Sequence, residues 1–254
     1  MNMTDNTIFI TGGTSGIGRA MAEAFHALGN KVIISGRRKA LLDEVTKANP
    51  GMTGIELDIQ DPEQIKAVAN RLVHEHPTLN VLFNNAGIMP FDDAAGDVDD
   101  ESALATINTN LLGPVRMTAA LLPHLKQQHN AVVIHNSSVL AFVPLATNAL
   151  YSATKAAIHS YAMSQRFALR NQGVKVVEIS PPWVDTDLIY KSGDPRAMPL
   201  KTFINETMRI LATGADEVYV ADIKPLRDNP GSTEHDFFNA FNQSIEDNPI
   251  PVAH

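Results

Sequence analysis

Short apolar, β-branched runs alternate along most of the chain with longer stretches in which apolar residues recur at helical spacing. This alternation is typical of βαβ units, which build a parallel sheet with helices on both faces. It predicts six strands, at Thr7–Thr11, Lys31–Ser35, Gly54–Asp58, Val81–Asn84, Ala131–Asn136 and Val174–Ser180. Helices are expected near Gly18–Leu28, Lys39–Ala48, Pro62–His74, Ser102–Lys126 and Ser152–Gln172. Right-handed crossovers then give a Rossmann-type α/β fold with a doubly wound parallel sheet.

The last part of the chain follows these patterns less regularly. We expect a helix around Thr202–Leu211, a strand at Glu217–Ile223, and a helical tail whose apolar face holds Phe237, Phe238 and Phe241. No linker or internal repeat divides the sequence, so a single domain over residues 1–254 is predicted. Within it, residues 183–254 are expected to form a divergent region that governs substrate or assembly.

Composition and charge limit the kinds of binding partner that the chain is expected to have. The 254 residues are 44% hydrophobic and 19% charged, and no apolar stretch approaches the ~18 residues of a membrane helix. A net charge of −8 repels nucleic acid and anionic membrane surfaces, so neither is expected as a partner. The chain has no cysteine, which excludes disulfides and thiolate chemistry. Because residues 1–7 carry no basic leader, a cytoplasmic location is expected.

A glycine-rich turn follows the first predicted strand and opens a helix. Its glycines, Gly12, Gly16 and Gly18, have the spacing GxxxGxG. Glycine lets a pyrophosphate approach the backbone, and the helix N-terminus offers unpaired N–H donors. The turn therefore predicts a dinucleotide site, although a turn that merely joins strand to helix is the alternative.

The end of the second predicted strand reads Ser35-Gly36-Arg37-Arg38. A carboxylate at this place would bind the 2′-hydroxyl of NAD(H), whereas arginine favours the 2′-phosphate of NADP(H). The two guanidiniums favour NADP(H). The alternative is that Arg37 and Arg38 are solvated charges at the start of a helix.

With these features the chain resembles the short-chain dehydrogenase/reductase family, from Thr7 to about Leu188. The matching motifs occur in the family's order: Asn84-Asn85-Ala86-Gly87, Asn110 in Asn-Leu-Leu-Gly, Ser138, and Tyr151 with Lys155 in YSATK. The resemblance implies an NAD(P)-dependent oxidoreductase that interconverts a carbonyl and a secondary alcohol. It also implies a homodimer or homotetramer built on the helices that contain Asn110 and Tyr151.

The resemblance implies cofactor contacts as well. Asp58 would lie near the adenine ring, the Asn85–Gly87 segment would line the ribose, and Thr186 would approach the nicotinamide carboxamide. Together with the glycine turn, the expected cofactor-binding residues are Gly12, Thr14, Ser15, Gly16, Ile17, Gly18, Arg37, Arg38, Asp58, Ile59, Asn85, Ala86, Gly87, Tyr151, Lys155, Pro181, Val184 and Thr186.

The chain departs from the family pattern near the sixth strand. Pro182 stands where the family usually has glycine, and no glycine-rich last strand and loop follow Glu217. The segment 181–187 and the run 213–217 are instead similar to a branch of oxidoreductases associated with D-alanyl-lipoteichoic acid gene clusters. That likeness does not identify a substrate.

Carbonyl reduction needs a hydride from the nicotinamide and a proton for the emerging alkoxide. Tyr151 is the candidate acid, and Lys155, four residues later on the same helical face, is expected to lower the phenol pKa from ~10 toward ~7. Ser138 could orient the substrate oxygen, and Asn110 could hold a water that links Lys155 to solvent. The alternatives are an aromatic on the helix surface, a hydroxyl at a strand end and a buried amide.

Other signals are given structural interpretations. None of the nine histidines occurs in a metal motif, and Ser138 lacks a GxSxG elbow, so His135 is interpreted as an ordinary strand residue and no metal is expected. The acidic run that begins at Asp92 and Asp93 and ends at Glu101 is interpreted as a solvated loop that caps the next helix.

The sequence alone does not decide which residues form the substrate pocket. Val139–Leu145, Trp183, Leu188, Ile189 and Tyr190 could line an apolar pocket or belong to the core. A sensor that binds NADP(H) without turnover is the alternative function, and the retained Tyr151 and Lys155 argue against it. An epimerase or dehydratase acting on a nucleotide sugar is disfavoured by the glycine spacing and the short C-terminal region.

Overall fold

The computed structural model describes residues 1–188, 191, 193–220 and 223–250. Seven strands in this part of the chain form one parallel sheet in the order β3-β2-β1-β4-β5-β6-β7. The strands are β1 Thr7–Ile10, β2 Lys31–Gly36, β3 Thr53–Glu56, β4 Leu79–Asn84, β5 Ala131–Asn136, β6 Val174–Ile179 and β7 Glu217–Val218.

Helices cover both faces of the sheet. They are α1 Gly16–Ala27, α2 Lys39–Ala48, α3 Pro62–Glu75, α4 Asp100–Ile107, α5 Gly113–Leu125, α6 Ala149–Leu169, α7 Leu200–Ala212, α8 Lys224–Arg227 and α9 Glu234–Asp247. Among the described residues, no helix combines the length and apolar character needed to cross a membrane.

The strands are apolar because a parallel sheet is buried on both faces. Successive side chains of β1 point to opposite faces: Ile8 and Ile10 join one core cluster with Phe25 of α1, and Phe9 joins the other with Leu72 of α3. This arrangement confirms the predicted doubly wound fold, and all six predicted strands are present.

The sheet order reverses at β1, which pairs with β2 on one side and with β4 on the other. Helices that follow β1 and β4 therefore leave toward opposite faces, and a crevice opens at the carboxyl ends of these strands. The glycine turn follows β1 and the Asn84–Gly87 motif begins at the end of β4, so the topology brings both predicted motifs to the crevice.

The expected strand at Glu217–Ile223 is wrong in its extent, because among the described residues of that range only Glu217 and Val218 pair with β6. The N–H of Ile223 donates to the carbonyl of Val220 at 3.1 Å instead of to β6. Ala221 and Asp222 lie outside the described residues.

The stretch Ser102–Lys126 is helical as expected, but it is not one regular α-helix, because a π-helical turn at Asn108–Leu112 separates α4 from α5. Pro114 has no N–H to donate to the carbonyl of Asn110, so regular α-helical pairing cannot continue through this point. The wider turn carries Asn110, one of the predicted catalytic residues.

Close packing beside this turn requires Gly113. A Cβ built on Gly113 would lie 2.7 Å from Cγ1 and 2.9 Å from the backbone oxygen of Ile59.

Gly113→Ala gains up to ~1 kcal/mol of helix propensity but meets this clash, so we expect a net loss of about 1–2 kcal/mol in the free energy of unfolding. Urea denaturation measures this loss of stability. Gly231→Ala is the control, because a Cβ there meets nothing closer than 3.8 Å; equal stability of the two variants would contradict this packing argument.

Candidate active site

A cavity of about 1200 Å³ opens at the carboxyl edge of the sheet. It runs from the glycine turn, past the ends of β4, β5 and β6, to the C-terminal helix α9. Every predicted cofactor-binding residue lines it, and so does Ser138. Asn110 is the one predicted site residue that does not line the cavity.

The glycine turn forms a cradle that larger residues would fill. Gly12 and Gly16 have φ angles of 68° and 52°, in the left-handed region that favours glycine. A Cβ on Gly12 would lie 2.8 Å from Cα of Ala86, and a Cβ on Gly18 would lie 2.3 Å from Nδ2 of Asn85. The backbone of the turn thus packs directly on the segment after β4.

The first turn of α1 faces the same cavity. Ser15 precedes the helix in extended conformation and its side chain makes no capping hydrogen bond, so the hydroxyl does not occupy the N–H groups of that turn. A helix N-terminus with accessible N–H groups suits the pyrophosphate of a dinucleotide. The residues present therefore fit a nicotinamide dinucleotide.

A chain of hydrogen bonds joins the glycine turn to Lys155. The Lys155 ammonium donates to the carbonyl of Asn136 at 2.8 Å, and Nδ2 of Asn136 donates to Oδ1 of Asn85 at 3.1 Å. Asn85 in turn donates to the carbonyl oxygens of Thr11 and Gly12, at 3.0 and 3.1 Å. Residues far apart in sequence are thereby held at fixed distances across the ends of three strands.

The two arginines lie where β2 meets α2. Both are exposed and line the cavity. In the part of the chain that the structure describes, neither guanidinium forms an ion pair. A Cβ on Gly36 would lie 2.9 Å from Cγ2 of Thr14, which shows how closely the end of β2 approaches the glycine turn.

Tyr151 and Lys155 lie one turn apart on α6, with the Lys155 ammonium 5.4 Å from the Tyr151 ring centroid. Burial raises the pKa of Tyr151 to about 12, although a hydrogen bond with Ser138 acts in the opposite direction. Burial also lowers the pKa of Lys155 to about 8, opposed by the charge of Glu178. The expected lowering of the Tyr151 pKa by Lys155 is therefore wrong for this structure, because loss of hydration destabilises the phenolate.

The short-chain dehydrogenase family model matches residues 6–196. The chain belongs to the short-chain dehydrogenase/reductase family. It is thus an NAD(P)-dependent oxidoreductase whose family uses nicotinamide cofactors and acts on small molecules.

Individual relatives refine this placement. The chain is 37% identical over 249 residues to the uncharacterized oxidoreductase DltE of Bacillus subtilis, covering 96% of this chain and 98% of that protein. This likeness confirms the expected branch of the family.

Solved structures agree with the fold. A short-chain dehydrogenase from Burkholderia cenocepacia in complex with NADP has a TM-score of 0.77 and 26% identity, covering 99% of this chain and all of that one. A 3-ketoacyl-(acyl-carrier-protein) reductase from Brucella melitensis complexed with NADH has a TM-score of 0.75 and 25% identity, covering 83% and 91% of the two chains.

In this family member Asn110 lies behind the cavity wall. Its Oδ1 accepts from the N–H of Ile88 at 2.9 Å, and its Nδ2 donates to the Ile88 carbonyl at 2.8 Å and to the Thr154 hydroxyl at 3.3 Å. A Cβ on Gly87 would lie 3.4 Å from Oδ1 of Asn110 and 3.8 Å from Nζ of Lys155. Asn110 therefore fixes the segment after β4 against α6, and its water-holding role stays a prediction.

A buried carboxylate beneath the site was not found from the sequence. Glu178 of β6 accepts hydrogen bonds from the hydroxyls of Ser137 and Ser180, and its Oε2 lies 2.8 Å from Nδ1 of His159. Ser137 precedes Ser138, Ser180 precedes Pro181, and His159 follows Lys155 by one helical turn. Glu178 thus ties together three elements that carry the candidate site: β5, β6 and α6.

Part of the apolar stretch after Ser138 lines the cavity, and part of it belongs to the core. Val139, Leu140 and Leu145 line the cavity together with Trp183 and Leu188. Phe142 is buried elsewhere, edge-on to the ring of His159 with centroids 4.9 Å apart, and Val143 is also buried away from the cavity. Ile189 and Tyr190 lie outside the described residues.

The acidic run is only partly a cap for the next helix. Asp99 caps α4 as expected, through the N–H groups of Glu101 and Ser102. Asp92 instead accepts from the N–H groups of Ala149 and Leu150, and so caps α6, the helix that carries Tyr151. This contact spans 57 residues of sequence, which a local capping pattern cannot show.

His135 is a buried strand residue, as interpreted from the sequence. Its Nε2 lies 2.9 Å from Oε1 of Gln165, and burial lowers its pKa. Within the ranges that the structure describes, no group of three or more potential ligands is arranged to hold a metal ion.

The surroundings of Glu178 predict how the free energy of unfolding changes with pH. Burial opposes its charge, but hydrogen bonds from His159 and Ser137 outweigh this effect and hold its pKa below the ordinary 4.5. The ionised carboxylate therefore contributes stability above that pH, and the contribution is lost as pH falls below it. At pH ~7 we expect Glu178→Gln to lower the free energy of unfolding by about 1.5–3 kcal/mol, as for hydrogen bonds to a charged group.

Urea denaturation of the parent and Glu178→Gln proteins at neutral pH and near pH 4 measures this difference. The gap between them should narrow on acidification. Glu246→Gln, at an exposed position of α9, is the matched control. A gap that is absent at neutral pH, or that widens in acid, would show that the carboxylate charge does not stabilise the fold.

Proposed function

We propose that the protein is an NADP(H)-dependent carbonyl reductase with Tyr151 as its general acid. The observation that carries the proposal is that Tyr151, Ser138 and Lys155 line the same cavity as the glycine cradle. A reactive group held by the cradle and an acid on α6 would then share one cavity.

Each side chain has a distinct task. The bound nicotinamide supplies the hydride. Ser138 holds the carbonyl oxygen, which then stands beside the Tyr151 phenol, and the phenol gives that oxygen its proton as negative charge develops. The Lys155 ammonium bonds the cofactor ribose and compensates the charge left on the phenol oxygen.

At neutral pH the pKa values of Tyr151 and Lys155 leave both groups in the forms that proton donation requires. A phenol whose pKa is about 12 stays protonated at neutral pH and can donate, whereas oxidation of an alcohol needs the phenolate as base. Lys155, with a pKa of about 8, is mostly protonated at neutral pH. The site is thus charged in the way that proton donation to an alkoxide requires.

The preference for NADP(H) rests on charge. Arg37 and Arg38 line the cavity at the end of β2, beside the cradle, where the 2′-substituent of the adenosine ribose would lie. A 2′-phosphate gives them a charge-assisted partner that a 2′-hydroxyl does not. Of the structural relatives, the Burkholderia protein was solved with NADP and the Brucella protein with NADH.

Family membership supports a homodimer or homotetramer, and the expected cytoplasmic location also belongs to this proposal. Sensing of NADP(H) without turnover is the remaining alternative, and no observation favours it.

Arg37→Ala should erase most of the NADP(H) preference. Charge-assisted bonds to the 2′-phosphate contribute ~1.5–3 kcal/mol, so the parent should bind NADPH about 10- to 150-fold more tightly than NADH. Dissociation constants for both cofactors, measured by fluorescence titration, test this. Arg209→Ala, exposed on α7 and away from the cavity, should keep the preference. Equal affinities in the parent protein would refute the assignment.

Tyr151→Phe keeps the ring and removes the acid. The proton is needed as charge develops in the transition state, so kcat on an accepted carbonyl should fall by ~10²–10⁴ while NADPH affinity changes little. Lys155→Ala should reduce both, because the ammonium also bonds the ribose. NADPH consumption with product analysis gives kcat, and titration gives affinity.

Tyr161→Phe is the control, since Tyr161 lies on the same helix but does not line the cavity. Parental turnover by Tyr151→Phe would eliminate Tyr151 as the acid. A parent that binds NADPH and reduces no carbonyl would favour the sensor.

A further inference from the structure

The C-terminal helix α9 presents one side to the cavity. Phe238, Phe241, Asn242 and Ile245, at helical spacing, are half-buried, whereas Phe237 is 37% exposed. The apolar face expected from the sequence is therefore shifted toward Ile245. Phe241 and Ile245 line the same cavity as Tyr151.

Two sets of hydrogen bonds hold this helix over the cavity. The Asn242 side chain accepts from the N–H of Ala146 at 2.6 Å and donates to the carbonyl of Pro144 at 3.0 Å, just before α6. Beyond the helix, Arg196 donates to the carbonyl oxygens of Asn248 and Pro249. The middle of α9 and the residues just beyond its C-terminus are thus attached to segments that border the substrate end of the cavity.

Apolar side chains dominate that end. They come from four separate segments of the chain: Met89, Leu145, Trp183, Leu188, Phe241 and Ile245. Such a lining gains free energy by burying hydrocarbon and gains nothing from a charged substituent.

The charged groups at this end do not favour an anion. Arg196 is already bound to both carboxylate oxygens of Asp194, at 3.0 and 2.8 Å, and lies 5.3 Å from the Trp183 ring centroid. Asp187 also borders the cavity, and its carboxylate repels an anionic substrate. Lys155 is engaged with the carbonyl of Asn136.

We infer that the substrate is an uncharged aldehyde or ketone with an apolar chain, and that Phe241 and Ile245 of α9 select it. The inference rests on the proposed function, since the carbonyl must reach Tyr151. Among the described residues of α9, none is fully buried. An apolar substrate chain packed against Phe241 and Ile245 therefore increases the apolar surface that this helix buries.

Steady-state kinetics with NADPH tests the specificity. Hexanal, propanal and adipate semialdehyde differ in apolar length and in charge. The parent should prefer hexanal to adipate semialdehyde by more than about tenfold in kcat/KM, and Phe241→Ala should lower kcat/KM for hexanal by about 10- to 100-fold with little change for propanal. Phe237→Ala, on the exposed side of the same helix, should match the parent.

A binding measurement separates this inference from the proposed chemistry. Trp183 is the only tryptophan of the chain and lines the cavity, so its fluorescence reports occupancy without turnover. Hexanol should shift the emission of the parent and of Phe237→Ala, and should bind Phe241→Ala and Ile245→Ala about tenfold or more weakly. Retained NADPH binding shows that the variants are folded.

The outcomes are distinct. Hexanol binding that depends on Phe241, with no carbonyl reduced, would overturn the proposed function and leave the apolar site standing. Equal use of hexanal and adipate semialdehyde, or identical behaviour of Phe241→Ala and Phe237→Ala, would overturn the apolar selection by α9.

Discussion

The site depends on the close approach of two backbone segments at the point where the sheet order reverses. The turn after β1 and the segment after β4 are so near that a Cβ on Gly12 would lie 2.8 Å from Cα of Ala86. The Thr11 hydroxyl accepts from the N–H groups of both Asn85 and Ala86, at 3.0 and 3.1 Å. This contact is made by backbone and one short side chain, so no large side chain separates the two segments at the floor of the crevice. A dinucleotide can then lie across both halves of the sheet.

Burial has opposite effects on the two ionisable groups above that floor. It raises the pKa of the Tyr151 phenol and lowers the pKa of the Lys155 ammonium, because burial disfavours the charged form of each group. Glu178 lies below, paired with His159, and its negative charge favours the protonated form of Lys155. The carboxylate therefore has two consequences: its hydrogen bonds join the segment after β5 and α6 to β6, and its charge favours the protonated form of Lys155.

Local features of this site were predictable from the sequence, whereas contacts between distant segments were not. The glycine turn and the Tyr151–Lys155 spacing depend on a few consecutive residues, and the cavity includes them as expected. The Glu178–His159 pair depends on how β6 packs on α6, and the Asn242–Ala146 contact joins positions 96 residues apart. The error about the Tyr151 pKa has the same origin, because spacing places an ammonium on the same helix face but does not reveal how much water both groups lose.

The two ends of the cavity are consequently built by different physical means. The dinucleotide end uses backbone N–H groups and glycine clearances, which a short motif specifies and which few substitutions can change without a clash. The other end uses apolar side chains from four separate segments, including α9, and each added apolar contact contributes only about 25 cal/mol per Å² of buried surface. Substitutions at that end alter substrate fit by small steps and leave the cradle intact.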